Sequence, residues 1–423
     1  MKILILSKDG DGLGIAYKLT MEGHKVDMWI KNPQYSHDLK GLIGRPKEWR
    51  PLVAGADLIV CDMVGFGRFA ELFSKMGKPF LCCNHVADVI ELDRLKGLET
   101  FKRCGITQPE YKHYKNVQEA RGDLKEFFQE PGIVYKPFGN LDTGKTYLCE
   151  TVELAEWALD TYPSVCELIA QRLIPKEGSV EVSTEGWWNG REFIYPFNHT
   201  FEEKRHMVGD VGKMTGCMGN LVVCCDHPDK LVQATLLKFE PVLKKSGYRG
   251  PVDVNCIVTK EQVFGLEFTC RFGYDAIEAL MQGLREPIAN LLFETAIGSK
   301  KTMDVSKDYL MAVRVTRDPY PAAAPKDLAP EDLDRGMPIV GLTAKDMNHA
   351  YLCDVYLDGE TLRYAAGDGV ILKATSFGDT IKKARDRVYR VVRNIKGIDI
   401  QYRTDIGVRA ERDLESLREW GWV

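Results

Sequence analysis

Residues 265–273 read Gly-Leu-Glu-Phe-Thr-Cys-Arg-Phe-Gly and show the two-residue alternation that is typical of a β-strand. Leu266, Phe268 and Cys270 are predicted to face a core, which leaves Glu267, Thr269 and Arg271 together on the opposite face. A carboxylate and a guanidinium on one face suit a site for a metal ion and a phosphate, because the ion prefers hard oxygen ligands and the phosphate needs positive charge. The alternative is a solvated edge strand without function.

Length and composition limit the classes of protein that are compatible with the chain. A length of 423 residues predicts two to four domains. The 57 basic and 61 acidic residues nearly balance, which argues against a general nucleic-acid-binding surface. The sequence has neither a long apolar run nor a signal-peptide pattern, so we expect a cytoplasmic protein without membrane contact.

The twelve cysteines and eight histidines are scattered and have no metal-ligand spacing such as CxxC. Reduced, mostly buried thiols are therefore expected, rather than a zinc site.

The N-terminal region predicts a parallel sheet. Apolar strands alternate with helical stretches, the strands being expected at residues 3–6, 25–30, 56–62 and 78–83. The turn at residues 8–14 carries Asp9 and Asp11, which would repel a phosphate, so a simple strand-to-helix turn is favoured over an anion site. A charged helix is predicted at residues 89–102, and Gly105 and Pro109 mark a domain boundary after it.

The central region contains two phosphate-binding candidates. Lys136 leaves a predicted buried strand, and the following loop, residues 139–146, carries Lys145. This loop matches the P-loop pattern, but residues 146–149 predict a strand instead of the helix that a P-loop requires. A strand-loop-strand clamp with two lysines is the preferred interpretation. Glu181, on a further strand, is suited to accept hydrogen bonds from a ribose.

A glycine-dense loop at residues 209–219 follows Lys204 and Arg205. Its four glycines allow the backbone to approach a ligand closely, which favours a functional loop over a generic surface loop. Residues beyond about 310 predict a smaller α+β unit.

Seven segments in this order resemble phosphoribosylamine–glycine ligase, also called glycinamide ribonucleotide synthetase, of the ATP-grasp superfamily. They are residues 91–96, the Lys136 strand, residues 139–145, Lys204-Arg205, residues 209–219, residues 267–273 and residues 402–410. The resemblance spans essentially the whole chain.

The resemblance implies a multidomain α/β and α+β fold. A Rossmann-like parallel sheet is expected in residues 1–98, an ATP-grasp fold in residues 99–310 with a mobile subdomain at about 120–185, and a small α+β domain that closes over the substrates in residues 311–423. The implied enzyme uses ATP and Mg²⁺ or Mn²⁺ to convert a carboxylate, typically that of glycine, into an acyl phosphate, which a small amine or nucleotide acceptor then attacks. A monomer or homodimer is expected.

The resemblance also implies a role for individual residues. Nucleotide binding would involve Lys96, Lys136, Lys145, Gln171 and Glu181. The metal ligands would be Glu267 and Thr269, the catalytic residues Lys204, Asp210 and Arg271, and the substrate-binding residues Gly212, Thr215, Gly216 and Arg403.

The sequence departs from the family pattern at several points. Thr269 replaces an asparagine ligand, Tyr274-Asp275-Ala276 replaces Asp-Pro-Glu, and the loop at 212–219 differs. Asp9 and Asp11 lie where the family binds phosphoribosylamine, so our hypothesis is that amino-acid activation is retained and the amine acceptor has changed. The alternatives are an ordinary phosphoribosylamine–glycine ligase and, because of Thr269, a nucleotide-binding regulator without catalysis.

Overall fold

The computed structural model describes residues 1–138, 146–322 and 334–423 and confirms the mixed α/β architecture. The chain opens with a four-stranded parallel sheet in the order β2-β1-β3-β4. Its elements are β1 (Lys2–Ser7), α1 (Leu13–Met21), β2 (Lys25–Ile30), β3 (Leu58–Cys61), α2 (Ala70–Lys75) and β4 (Phe80–Leu81), with 3-10 turns at Pro33–Tyr35, Arg50–Gly55 and Gly67–Phe69.

The next elements form a small antiparallel sheet in the order β5-β8-β6-β7, with helices packed against it. They are α3 (His85–Leu92), α4 (Arg94–Cys104), β5 (Tyr111–Tyr114), α5 (Val117–Phe127), β6 (Ile133–Pro137), β7 (Tyr147–Cys149), α6 (Val152–Thr161) and β8 (Leu168–Arg172).

The remainder of the chain is dominated by one large sheet. Its elements are β9 (Ser179–Trp188), β10 (Phe193–Glu202), β11 (Arg205–Met207), β12 (Val211–Met214), β13 (Gly219–Cys225), α7 (Lys230–Ala234), α8 (Leu236–Ser246), β14 (Gly250–Thr259), β15 (Val263–Thr269), α9 (Ala276–Gly283), α10 (Ile288–Ile297), β16 (Tyr309–Thr316), β17 (Pro338–Ile339), α11 (Ala344–Met347), β18 (Ala350–Leu352), β19 (Val355–Asp358), β20 (Thr361–Tyr364), β21 (Val370–Gly378), α12 (Ile381–Asn394) and α13 (Val408–Glu419).

The large sheet is antiparallel and has eight strands in the order β15-β14-β9-β10-β13-β16-β21-β18. Three of these strands, β16, β18 and β21, come from residues beyond 308, so the C-terminal part of the chain continues the large sheet. It also forms a three-stranded sheet, β17-β20-β19, and β11 and β12 form a separate hairpin.

Strand β15 lies at one edge of the large sheet and is anchored by aromatic packing. Phe268 stacks on Phe101 and Phe239, with ring centroids 4.0 and 4.3 Å apart. The predicted alternation holds for Phe268 and Cys270, which are buried, but fails at Leu266. Leu266 is the extra residue of a β-bulge, because Asn255 pairs with Glu267 while Cys256 pairs with Gly265. The bulge leaves Leu266 only partly buried.

The helix predicted over residues 89–102 is wrong as a single element. Two helices, α3 and α4, meet at Asp93, which has extended backbone dihedrals. Its side chain accepts a hydrogen bond from the Lys96 backbone N–H at 3.1 Å and so caps α4. Gly105 ends α4 in the left-handed conformation, as its position in the sequence predicts.

Over the described ranges, which leave out residues 139–145 and 323–333, no helix is long and apolar enough to cross a membrane.

Candidate active site

A cavity lies between the small sheet, the edge of the large sheet and helices α3 and α4. Residues from all three contribute to its wall, namely Ile90, Glu91, Arg94, Gly97, Leu98, Phe101, Lys136, Ile169, Gln171, Leu266, Glu267 and Phe268. Apolar and charged side chains both line it, a combination that suits a planar base with an attached polyphosphate. The residues that line the cavity come from segments that are more than 170 residues apart in the sequence.

Lys136 and Glu267 line this cavity, and Lys204, Glu181 and Glu202 lie next to them. Lys204 Nζ lies 2.8 Å from Glu181 Oε1 and 3.5 Å from Glu202 Oε2. Burial lowers the pKa of Lys136 to about 8, even though Glu267 acts to raise it. Burial also acts to raise the pKa of Glu267, but the charges of Lys204, Lys136 and Arg94 outweigh it and lower that pKa overall. Glu267 is therefore ionised at neutral pH beside three cations.

Oxygen ligands surround the end of β15. Thr269 is paired across the sheet with Asp253 of β14, and Glu267 with Asn255. The Asn255 amide donates to Asp253 Oδ1 at 3.1 Å and to Thr269 Oγ1 at 3.3 Å. Burial, followed by the charges of Glu202 and Glu185, raises the pKa of Asp253 well above its usual value. Carboxylate and hydroxyl oxygens are thus gathered here, and among the described residues no cation forms an ion pair with Asp253; this donor set fits Mg²⁺ or Mn²⁺.

Arg271 lies just beyond β15 and is held by α3. Its Nε donates to Glu91 Oε1 at 2.9 Å, and its guanidinium lies 4.3 Å from the centre of the Tyr274 ring. The second Glu91 oxygen accepts the Cys270 backbone N–H at 2.7 Å. Glu91, which lines the cavity, therefore fixes both the backbone and the Arg271 side chain at the exit of the strand.

The predicted substrate loop forms a second cluster around Arg403. The Arg403 guanidinium is only 2% exposed and contacts Asp405 at 2.7 Å, Glu203 at 3.4 Å and Asp210 at 3.6 Å. Asp210 has a φ of 60° in the turn between β11 and β12. Arg403 is thus the link between the β11–β12 hairpin and the C-terminal part of the chain.

Three further residues of this loop, Gly212, Thr215 and Gly216, lie against neighbouring parts of the chain. The Gly212 carbonyl accepts from Arg205 at 2.9 Å, and Thr215 Oγ1 donates to the Lys204 carbonyl at 2.8 Å. A Cβ at Gly216 would lie 3.2 Å from the Tyr274 ring, so this position requires a small residue. The loop is therefore tied both to Lys204 and to the region after Arg271.

Two of the predicted nucleotide ligands differ in placement from the rest. Lys96 is exposed on α4, where its Nζ pairs with Glu99 at 2.9 Å, and it does not line the cavity. Arg94, two residues earlier, lines the cavity and donates from Nε to the Pro137 carbonyl at 3.1 Å. Lys145 lies outside the described residues.

The sequence-based reasoning missed Arg94, Glu91 and Asp253 as members of the site. Glu91 is on α3 and Arg94 is on α4, and the break between these helices at Asp93 determines which of their side chains face the cavity. Asp253 lies on the strand before Glu267 and is paired with Thr269. A search for acidic residues on the strand that precedes Glu267 would have found it.

The chain is similar to known enzymes in sequence and in fold. No family model matches the sequence. The phosphoribosylamine–glycine ligase of Streptomyces coelicolor is 30% identical over 232 residues, about half the length of each chain (52% of this chain and 53% of that one). The enzyme of the same name from Rhizobium meliloti is 24% identical and is aligned over 97% of this chain and 99% of its own length.

Solved structures share the fold. Phosphoribosylamine–glycine ligase from Thermotoga maritima superposes with a TM-score of 0.74 at 20% identity, covering 96% of this chain and 100% of that one. Biotin carboxylase from Campylobacter jejuni gives a TM-score of 0.63 at 12% identity and covers 99% and 96%. The chain therefore has an ATP-grasp fold, and its relatives over nearly the full length are ligases that form C–N bonds. Within that class it is similar to the phosphoribosylamine–glycine ligases, and this confirms the resemblance seen in the sequence.

Proposed function

We propose that the chain is an ATP-dependent carboxylate–amine ligase that activates an amino acid, glycine, as an acyl phosphate and transfers it to an amine other than phosphoribosylamine. The observation that carries the activation half is the convergence of Lys136, Gln171 and Glu267 around one cavity between two sheets, with the charge of Lys204 acting on Glu267. Phosphoryl transfer depends on positioning and on charge neutralisation more than on a nucleophilic side chain, and these residues supply both.

In the proposed nucleotide complex the base lies against Leu266, Phe268 and Leu98, and the phosphates extend towards Lys136 and Arg94. Glu267, with Asp253 and Thr269, holds a divalent ion that lowers the charge repulsion between the phosphates and the incoming carboxylate. Glu181 accepts hydrogen bonds from the ribose, and Lys145, which lies outside the described residues, is a further proposed phosphate ligand.

The reaction has two balanced steps. A carboxylate oxygen of the amino acid attacks the γ-phosphorus and ADP leaves with the bridging oxygen. The acceptor nitrogen then attacks the acyl carbon, inorganic phosphate leaves, and the nitrogen loses one proton. Arg271 stabilises the transferring phosphoryl group, while Asp210, Gly212, Thr215, Gly216 and Arg403 form the region that positions the amino acid.

The acceptor region is the turn between β1 and α1. At a helix N-terminus, free backbone N–H groups can bind a phosphate. Here the Gly12 N–H donates to Asp62 Oδ2 at 2.7 Å, and the Gly10 N–H donates to Ser7 Oγ at 2.8 Å. The side chain of a buried aspartate therefore occupies a position that a phosphate ester would need.

The charged groups around Asp11 also argue against a phosphate on the acceptor. Arg271, Lys373 and Arg314 act on Asp11, but burial is the larger influence and raises its pKa. Each of these cations already has a carboxylate partner: Arg271 pairs with Glu91, Arg314 with Asp275 at 2.6 Å and Lys373 with Glu278 at 2.7 Å. These three cations are therefore neutralised by carboxylates, which disfavours a phosphate monoester and favours an acceptor with amine and hydroxyl groups.

The second candidate is an ordinary phosphoribosylamine–glycine ligase. It is favoured by the alignment with the Rhizobium meliloti enzyme over nearly the full length of both chains. The two candidates share the activation step and differ only in the acceptor.

The test measures ADP release by the purified protein with Mg-ATP and each amino acid, with and without phosphoribosylamine generated in the assay. Amino-acid-dependent turnover that is indifferent to phosphoribosylamine supports the proposal. Glycine-dependent turnover that requires phosphoribosylamine establishes the second candidate, and the absence of turnover under every condition rejects both.

A further inference from the structure

Three potential metal ligands meet on the other face of the large sheet. His199 Nε2 lies 2.7 Å from Asp229 Oδ2 and 3.8 Å from Cys225 Sγ. A ligand atom from each of the three residues lies within 4.8 Å of the other two. His199 is 2% exposed, whereas the Asp229 side chain is 18% exposed, so the cluster is buried at one end and reachable from solvent at the other.

Strand register brings these residues together. His199 of β10 is paired with Val223 of β13, and Cys225 follows Val223 by two residues, so the His199 and Cys225 side chains share one face. Thr184 of β9 is paired with His199 and lies on the same face, while its neighbours Ser183 and Glu185 face the nucleotide cavity side. Asp229 comes from the loop after β13 and is the N-cap of α7.

The surroundings hold two of the three ligands in position. Thr184 Oγ1 lies 3.1 Å from His199 Nδ1, where it can accept the Nδ1 proton and leave the Nε2 lone pair directed at Cys225 and Asp229. Asp229 Oδ1 accepts the Val232 N–H at 2.9 Å, which fixes the carboxylate and leaves Oδ2 for the cluster. These two contacts, of Thr184 with His199 and of Val232 with Asp229, are of the kind that orients the ligands of a bound metal.

We propose that His199 Nε2, Cys225 Sγ and Asp229 Oδ2 bind a zinc ion, with solvent as the fourth ligand. A sulfur and an imidazole nitrogen select zinc over Mg²⁺, which prefers oxygen ligands only. Zinc bonds of about 2.0–2.3 Å in a tetrahedron place ligand atoms about 3.3–3.7 Å apart. The 3.8 Å between sulfur and nitrogen exceeds this range by about 0.1 Å, and the nitrogen and carboxylate oxygen have to separate by about 0.6 Å.

The site goes beyond the proposed ligase chemistry, because it lies across the sheet from Glu267 and Glu181. Binding replaces the thiol proton of Cys225, which passes to solvent, and connects the end of β13 to the start of α7. A structural role follows: the ion ties the helix layer of α7 and α8 to the centre of the large sheet.

Zinc binding is tested on the reduced full-length protein after removal of metal with a chelator. The protein is incubated with zinc, separated from free ion by gel filtration and assayed for metal by mass spectrometry. We expect roughly one zinc ion per chain. Cys225→Ser and Asp229→Asn should each weaken binding by more than about tenfold, and asparagine retains the N-cap of α7.

Cys224→Ser is the matched control, because the adjacent Cys224 points to the other face of β13, and it should bind zinc as the wild type does. Cobalt provides a check that needs no variant: wild-type protein with Co²⁺ should show a thiolate-to-cobalt charge-transfer band that zinc abolishes. A wild-type protein without bound zinc and without this band would overturn the proposal and leave a His199–Asp229 ion pair. Zinc retained by both Cys225→Ser and Asp229→Asn would overturn it too.

Discussion

At the scale of single residues, the site is a balance of charge around Glu267. Its carboxylate faces Lys136, Lys204 and Arg94, and each cation favours its ionised form. This arrangement places positive charge where the phosphates bind, and a negative ligand where the divalent ion binds, before either is present. Three predictions test this balance.

Glu267→Gln removes the charged metal ligand while keeping the shape of the side chain. We expect Mg-ATP cleavage to fall by about a hundredfold or more, since the ion supplies several kcal/mol of charge stabilisation. ADP release measures the effect. Glu261→Gln, in the exposed turn between β14 and β15, is the control and should retain full activity; equal activity of the two variants would remove Glu267 from the metal site.

The ionisation of Lys136 is expected to make the affinity for ATP depend on pH. Its pKa of about 8 means that it is charged below that pH and loses its charge as the pH rises through about 8. Affinity for a non-hydrolysable ATP analogue should therefore fall above pH 8, by up to about tenfold per pH unit. Calorimetric titration over this range measures it. Lys136→Arg keeps its charge and should give a flat profile, and a flat profile in the wild type would contradict the assignment.

Arg94 and Lys96 form a matched pair two residues apart on α4. Arg94 lines the cavity, whereas Lys96 is exposed and paired with Glu99. Arg94→Ala should raise KM for ATP by about tenfold or more, because a buried charged contact is lost. Lys96→Ala should change it by less than about twofold, as expected for an exposed ion pair. The reverse order of effects would show that Lys96, and not Arg94, holds the nucleotide.

At the scale of elements, β15 is held in place by one aromatic stack. Phe268→Ala removes the ring between Phe101 and Phe239 and should lower the free energy of unfolding by about 3–5 kcal/mol. Urea unfolding followed by fluorescence measures this loss. Phe264→Ala, on the same strand at a partly buried position, should have a smaller effect. Equal losses would mean that the stack does not anchor the strand.

The secondary-structure elements also show which features of the fold the sequence predicts. Alternation predicts β15, and Gly105 predicts the end of α4. The bulge at Leu266 and the break at Asp93 were not predicted, because each depends on a partner strand or a cap that competes with a local pattern. Arg94 escaped notice for that reason, since the break at Asp93 turns it, and not Lys96, towards the cavity.

At the scale of the whole molecule, the acceptor region joins three distant segments. Asp11 comes from the first turn, Arg271 from the region after β15, and Arg314 and Lys373 from strands of the C-terminal part. The sequence indicated that Asp9 and Asp11 would repel a phosphate. It did not reveal that Asp62 binds the Gly12 N–H, nor that Asp275 and Glu278 neutralise the nearby cations, because these are contacts between segments far apart in the chain.

The paired cations lead to a prediction about ribose 5-phosphate, which carries the phosphate of phosphoribosylamine without its amine. We expect no saturable binding by calorimetry at millimolar concentration, because Asp62 occupies the helix N-terminus and the nearby cations are neutralised. An ATP analogue in the same experiment is the positive control. Saturable binding that is lost in Arg314→Gln would favour the phosphoribosylamine acceptor.

The central claim is that the cavity converts an amino-acid carboxylate into an acyl phosphate, and trapping with hydroxylamine tests it without knowledge of the natural acceptor. The purified protein is incubated with Mg-ATP, hydroxylamine and each amino acid, and the hydroxamate and ADP are quantified together. We predict equal amounts of hydroxamate and ADP with glycine, and neither product with Glu267→Gln. ATP cleavage without hydroxamate for any amino acid, or no cleavage at all, would contradict the account.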